Sequence, residues 1–189
     1  MTGRIVLILG GNMSKKTVEN TIIKNVAYDY KAADFLKQLE KGAFLTTQYG
    51  GQNNVMTIGW AQIGVIWRKP VMTVLVRKSR YTKTLLDGSK EFTVSVPLNC
   101  DKQKELAYCG TISGRDEDKF ATQKIKLLES EKINTPCLDM PGLHYECTVL
   151  YQTEIKLEEL DEIVNDTWYQ DGDIHTMYFA EIVNTRYIE

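Results

Sequence analysis

Short runs of alternating apolar residues, divided by glycine, proline and asparagine turns, recur along this chain without regular helices between them. That pattern constrains the fold more than any other feature. Glu91 to Val96 is its clearest instance, with Phe92, Val94 and Val96 alternating with polar neighbours before Pro97. Ala43 to Gln48 is strand-like, Gly50-Gly-Gln-Asn-Asn54 is a turn, and Val55 to Trp60 and Gln62 to Trp67 read as further strands. Lys69-Pro70 breaks the chain before the strand Val71 to Arg77, and strands return over Tyr145 to Leu157 and His175 to Asn184. Helical spacing is confined to a few places. Ala32, Phe35, Leu36 and Leu39 share one helical face that Gly42 would stop. Asp101 is placed to cap a second helix running through Leu106 to Cys109, and a charged, partly helical region follows to Pro136 and Pro141. Strands joined by hairpins, without β-α-β alternation, predict a mainly β antiparallel barrel or sandwich rather than a doubly wound sheet.

A chain of 189 residues favours a single domain, here residues 13–189, with a core large enough to need no staples. The net charge of −2, without a basic stripe, gives no reason to expect a nucleic-acid partner. Ile5 to Leu9, the longest aliphatic run, is too short to span a bilayer, so a cytoplasmic protein with no membrane partner is the simplest expectation. Cys100, Cys109, Cys137 and Cys147 form no Cys-x-x-Cys pair, and His144 and Cys147 would point to opposite faces of one strand, so no metal site is expected. Arg4-Ile-Val-Leu-Ile-Leu-Gly-Gly-Asn12 imitates the start of a dinucleotide-binding fold, but no Gly-x-Gly-x-x-Gly follows. Residues 1–12 read as an N-terminal extension ahead of an ordinary start at Met13.

Two segments carry the chemistry. Val76-Arg-Lys-Ser-Arg-Tyr-Thr82 ends a strand with Arg77, Ser79, Arg80 and Thr82, and Tyr81 to Asp87, closed by Gly88, forms a short helix. Guanidinium groups, hydroxyls and a helix N-terminus together suit a phosphate ester. Cys109 to Phe120 adds Ser113, Arg115 and Lys119, with Gly110 and Gly114 free to adopt positive φ and present amides. Each segment alone also fits a solvated surface loop. Two in one small domain suggest a ligand with a phosphate at one end.

Asn54-x-Met-Thr-x-Gly-Trp60, Pro70, Arg77-x-Ser-Arg-Tyr-Thr82, Glu91-Phe-Thr-Val-Ser95 and Cys109-Gly-x-x-Ser-Gly-Arg-Asp-x-Asp-Lys-Phe120 follow in an order that resembles the flavin reductase-like proteins. Among these FMN-binding split barrels the flavoredoxin-like branch is the nearest, and His175 to Val183 resembles the family's last strand. The resemblance covers about residues 26–188. It implies a six-stranded Greek-key barrel with a few peripheral helices and FMN near a homodimer interface. Residues 77 to 82 would clamp the phosphate. Thr57, Ile58 and Gly59 would offer backbone at close range, and Trp60 would wall the ring slot. Gly59 as a strand bend, and Trp60 and Trp67 as core residues, are the plain alternatives. The cofactor-binding set implied is Asn54, Thr57, Ile58, Gly59, Trp60, Arg77, Ser79, Arg80, Tyr81, Thr82, Ser113, Gly114 and Lys119.

The resemblance also implies hydride transfer from NADH or NADPH to the flavin and on to an acceptor, chemistry that needs positioning rather than a general base. An FMN electron carrier reduced by a redox partner protein shares the same residues. His175, after Asp171-Gly-Asp173, resembles the position where some flavin reductases meet the nicotinamide; a surface histidine at a strand edge is its plain reading. Cys109 is either redox-active or a small buried thiol. If residues 1–12 are an extension, their removal leaves flavin content and melting temperature nearly unchanged. A drop of several degrees would show that Ile5 to Leu9 pairs with the rest of the protein.

Overall fold

Alternation in β6 (Glu91–Pro97) builds the core from its centre, because Phe92, Val94 and Val96 are fully buried on one face. Thr93 and Ser95, the polar partners in the alternation, are buried too. Thr93 Oγ1 donates to Pro136 O at 2.8 Å, and Ser95 Oγ accepts from Leu138 N–H at 3.1 Å. The strand is therefore covered on both sides, its polar face by the segment around Pro136. Small hydroxyl residues suit that position because each can bond the covering backbone.

The computed structural model describes residues 22–189, so the expectation for residues 1–12 lies outside the described residues. Before β6 come β1 (Ile23–Asn25), α1 (Ala32–Leu39), β2 (Ala43–Tyr49), β3 (Gln52–Ile58), β4 (Ala61–Ile66), β5 (Lys69–Arg77) and α2 (Tyr81–Ser89). After it come α3 (Gln103–Thr111), α4 (Lys119–Thr122), β7 (Leu127–Leu128), β8 (Cys137–Leu138), β9 (Gly142–Glu154), α5 (Glu162–Trp168) and β10 (His175–Ile188). The main sheet runs β3-β2-β6-β9-β10-β5-β4, with β1 also on β10, and every pairing is antiparallel. Phe35, Leu39 and Leu86 from α1 and α2 fill one side of the sheet with Leu45, Met72 and Tyr178. A second cluster, of Phe44, Val55, Leu106, Cys109, Leu138 and Met140, forms where α3 packs on β3. No helix among the described residues is long and apolar enough to cross a membrane.

The mainly β antiparallel architecture agrees with the sequence reading, and the differences have local causes. The main sheet has eight strands rather than six, since β1 and β4 add at its margins and β4 stays half-buried or exposed along its length. The β4–β5 turn falls at Trp67-Arg68, with φ of 53° and 58°, not at Lys69-Pro70. Positive φ at both central residues matches the twist of a two-residue hairpin. Pro70 lies just past Val71, the last β5 residue paired with β10, so its missing N–H breaks no bond there. Gly50-Gly51 makes the same kind of turn, so β3 begins at Gln52 and ends at Ile58, before Gly59-Trp60.

Gly88 does not close α2, which ends on Lys90 at φ 57°. Its missing side chain makes room for Tyr49, whose ring would lie 2.6 Å from an added Cβ. Nor do Gly110 and Gly114 take positive φ. Gly110 lies inside α3, which continues to Thr111, and Asp101 bonds Gln103 N–H at 3.1 Å one residue ahead of the cap at Lys102. β9 stops at Glu154, β10 continues to Ile188, and α5 was not expected. Asp161 caps α5 by accepting from Ile163 and Val164 N–H.

His144 on β9 is fully buried. Its Nε2 lies 2.9 Å from Met140 O and must donate to it; its Nδ1, 3.0 Å from Ser95 Oγ, then accepts from that hydroxyl. Burial holds its pKa down to about 4, with Arg186 lowering it further against the Met140 bond. As pH falls below about 6.5 the unfolded histidine takes up a proton that folded His144 refuses, so stability declines until the folded group titrates near 4. The loss is on the order of 3 kcal/mol. Urea midpoints between pH 7 and 4 should show that slope, and His144→Gln should remove this share of it.

Candidate functional site

The two segments singled out in the sequence close around one cavity of about 270 Å³. Ser79, Arg80, Tyr81 and Thr82 line it from the start of α2, and Ser113, Gly114, Arg115 and Lys119 line it from the loop between α3 and α4. Arg80, Arg115 and Lys119 face it with Asp116 as its acidic lining residue, so the cavity is positive. Arg80 is the N-cap of α2, extended at φ −70° and ψ 130°, and no side chain caps that end. The first amides of the helix are thus available to an anion.

Ties between the segments set the shape. Arg80 Nη1 donates to Gly110 O at 2.7 Å, and Arg115 Nη1 donates to Ser79 O at 2.9 Å while its guanidinium lies over the Tyr81 ring at 5.2 Å. Lys119 is buried with one bond, from Nζ to Ile112 O at 3.2 Å. Desolvation lowers its pKa, partly offset by Cys109 and reinforced by the Arg80 charge. An anion between the two cations would relieve both the desolvation and the repulsion. Asn54 Nδ2 donates to Thr82 Oγ1 at 2.7 Å, so the Thr82 hydroxyl keeps its own proton to give. Gly114 is required by space: an added Cβ would stand 2.0 Å from Asn54 Oδ1 and 3.1 Å from Tyr81 Cδ1. Tyr81 Oη donates to Gln52 Oε1 at 2.6 Å.

Met56 and Arg80 also line a second cleft, of about 180 Å³, with Thr57, Ile58, Gly59, Trp60, Leu75, Arg77, Trp168 and His175. The two cavities therefore share a wall; the first is polar and cationic, and the second sets aromatic rings and aliphatic side chains beside Arg77 and Arg80. Gly59 forms the bend between β3 and β4, and a Cβ there would meet Leu39 O only at 3.8 Å. Thr57 Oγ1 donates to Leu106 O at 2.6 Å and ties α3 to β3. Trp60 packs edge-on against Trp168 at 5.0 Å and tilts over His175 at 4.8 Å, whereas Trp67 is exposed at a hairpin tip.

His175 is buried rather than a surface residue, and its Nδ1 lies 2.9 Å from Tyr169 Oη. Its pKa falls to about 4, first through burial and then through Arg77, so the ring is neutral at ordinary pH. Cys109 is fully buried, and desolvation pushes its thiol up to about 11, which leaves it protonated.

Arg77 and Ser79 face other work. Arg77 Nη1 donates to Asp173 O at 2.8 Å and Nη2 to Trp168 O at 3.0 Å. Asp173 accepts from Ser79 Oγ at 2.6 Å and from Ser79 N–H at 3.0 Å. Together they strap the segment after α5 onto the end of β5. Met56, Trp168, Tyr169 and Asp173 stand outside the cofactor-binding set that the resemblance implies. Asp161 ahead of an apolar-spaced Ile163, Val164 and Trp168 was an available signal for α5; nothing local marks Tyr169 as the partner of His175.

An uncapped helix start, three cations and several hydroxyls thus surround one cavity, which opens past a shared arginine onto an aromatic cleft, all on an antiparallel β scaffold. The family model described as "flavin reductase like domain" matches residues 41–189, and the chain belongs to that family. In three dimensions it is similar to a flavoredoxin from Methanosarcina acetivorans, at 23% identity and a TM-score of 0.60, over 76% of this chain and 66% of that one. It is similar also to an FMN-binding domain of flavin reductase-like enzymes from Shewanella baltica, at 18% identity and a TM-score of 0.62, over 88% and 78%. An uncharacterised protein of Archaeoglobus fulgidus is 29% identical over 131 residues, 69% of this chain and 63% of that protein. The match thus takes in less than two thirds of that relative's length.

The strap should depend on Asp173. Asp173→Ala removes both bonds to Ser79, and deuterium exchange at residues 168–174 should speed up about tenfold while β6 and β9 stay protected. Unchanged exchange would show that the Arg77 bonds alone hold the segment.

Proposed function

We propose that this chain is an FMN-binding oxidoreductase that takes electrons from NADH or NADPH and passes them to an acceptor, working as a homodimer with FMN near the interface. The observation that carries the reading is the joining of a cationic, amide-rich cavity to an aromatic cleft through Arg80 and Met56. FMN has that division, with a phosphate dianion at one end and a flat apolar ring at the other. The donor set fits: Arg80, Lys119, Thr82 and Ser113 would hold the phosphate with the first amides of α2, and Gly114 keeps the cradle open. Asn54 orients Thr82, and Tyr81 with Arg115 walls the outer side. Thr57, Ile58 and Gly59 would present backbone to the ring, with Trp60 beside it. Arg77 and Ser79 serve by holding the strap that carries Trp168.

When bound, FMN supplies the hydride-accepting chemistry. The chain's part is to hold the nicotinamide against one face within about 3–3.5 Å, to exclude water and to provide neutral donors. His175, uncharged and at the edge of the aromatic cleft, is placed to orient the nicotinamide. No residue has to move a proton. This explains why a fold with two histidines, both of depressed pKa, can serve.

FMN should bind more tightly than riboflavin in fluorescence-quenching titrations, and Arg80→Ala should weaken FMN by about tenfold to a hundredfold while leaving riboflavin little changed. Equal affinities for the two flavins would remove the phosphate from the reading. NADH or NADPH added without oxygen should bleach the bound flavin. Failure of both would make the chain a carrier reduced by another protein.

A further inference from the structure

We infer that Tyr169 is a positioning residue that donates its hydroxyl proton to His175 Nδ1 and so fixes the histidine as the neutral tautomer with Nε2–H turned to the aromatic cleft. The inference rests on the proposed nicotinamide-dependent reading only for the identity of the ligand; the tautomer stands on geometry alone. His175 lines the cleft and Tyr169 does not. The Nδ1 edge of the imidazole faces Tyr169 Oη at 2.9 Å, which leaves the Nε2 edge for the cleft. The two rings meet edge to face, with centroids 5.6 Å apart and planes at 88°, so the phenol comes at the imidazole side-on.

The direction of the bond follows from the strengths of the groups. A phenol is a strong donor and a weak acceptor, and the bare nitrogen of a neutral imidazole is a strong acceptor. Tyr169 is itself buried, capping the C-terminal end of α5 through its N–H on Asn165 O at 2.9 Å, with the Arg77 guanidinium 5.7 Å from its ring centroid. Nothing in this setting favours its ionisation: burial raises its pKa, against a smaller lowering by Arg77. His175 is flanked by Arg77 on the paired strand and by Arg80, with Asp171 and Asp173 on the strap. Two guanidinium groups so close oppose a third cation, and the two carboxylates are already engaged, Asp173 by Ser79 and Asp171 by Arg77. The cleft therefore receives a neutral N–H donor rather than an imidazolium. That group suits an uncharged acceptor on a flat ring, the class to which the carboxamide oxygen of a nicotinamide belongs.

The direction of the Tyr169–His175 bond makes a prediction of sign. If the phenol donates, it stabilises neutral imidazole, and Tyr169→Phe raises the pKa of His175. If the phenol accepts, it favours the cation, and the same change lowers that pKa. With only two histidines in the chain, ¹⁵N chemical shifts of the full-length protein report each ring separately. The expected result is a single Nε2–H tautomer in the wild type, and in Tyr169→Phe a mixture of tautomers with an upward-shifted His175 titration. A downward or absent shift, or an Nδ1–H tautomer in the wild type, overturns the assignment whether or not the protein binds flavin.

The ligand is tested separately by rapid mixing of the FMN-loaded protein with NADH. Tyr169→Phe should raise the NADH concentration for half-maximal flavin reduction by about threefold to tenfold with the limiting rate little altered. An unchanged value overturns the carboxamide as the acceptor. Absence of reduction in the wild type removes the nicotinamide reading itself, with the ¹⁵N result still deciding the tautomer.

Discussion

The antiparallel pairing of β10 with β5, in the register that sets His175 opposite Arg77, is the constraint on which the site depends. It begins the last strand where the turn from Arg77 to Thr82 leaves the sheet. One face of the ladder sends Tyr178 and Ala180 into the core against Val74 and Met72, so a slip by one residue would expose the whole apolar set. The register is thus fixed by burial far from the site, and the site inherits it. Residues nearly a hundred positions apart in sequence meet at its rim.

From that junction the two halves of the site diverge. Beyond Arg77 the chain turns into α2, whose start has no side-chain cap and lines the cavity with Ser113, Gly114, Arg115 and Lys119. Before His175 the chain forms α5 and the strap, which Arg77 and Ser79 hold down through Trp168 O and Asp173. One short turn therefore serves both halves: Arg80 and Thr82 face the cationic cavity while Arg77 and Ser79 secure the aromatic side. The Asp173 carboxylate takes the hydroxyl and amide of Ser79, so neither group is left over for the cavity.

Electrostatics fit this division. Lys119 and Arg80 sit near each other in a poorly solvated cavity, an arrangement that favours an anionic guest. His175, one wall away, is kept neutral by burial, by Arg77 and by Arg80. The polar end gathers Arg80, Arg115 and Lys119, and the aromatic end sets Trp60, Trp168 and a neutral His175 beside Arg77 and Arg80. A ligand with a charged tail and a neutral ring meets complementary surfaces at both ends.

Most strands, and the two polar segments that line one cavity, were legible in the sequence. Alternation in Glu91 to Val96, the Gly50-Gly51 turn and the Arg-x-Ser-Arg-Tyr-Thr run after Val76 are local signals, written in side chains a few residues apart. Even there the reasons differed: neither Gly110 nor Gly114 adopts positive φ, and Gly114 serves by leaving space, because Asn54 of β3 and Tyr81 of α2 approach it. Tertiary structure alone decided which donors remain free. Arg77 and Arg80 are alike in sequence, three residues apart, yet Arg77 bonds the strap twice and lines only the aromatic cleft, whereas Arg80 spends one bond on Gly110 O and faces both cavities. It decided too that His175 is buried with Tyr169 at its back, since both depend on where α5 comes to rest. Periodicity reports the face of an element that seeks the core; the partner that a polar side chain meets across a loop is set by packing distant in sequence.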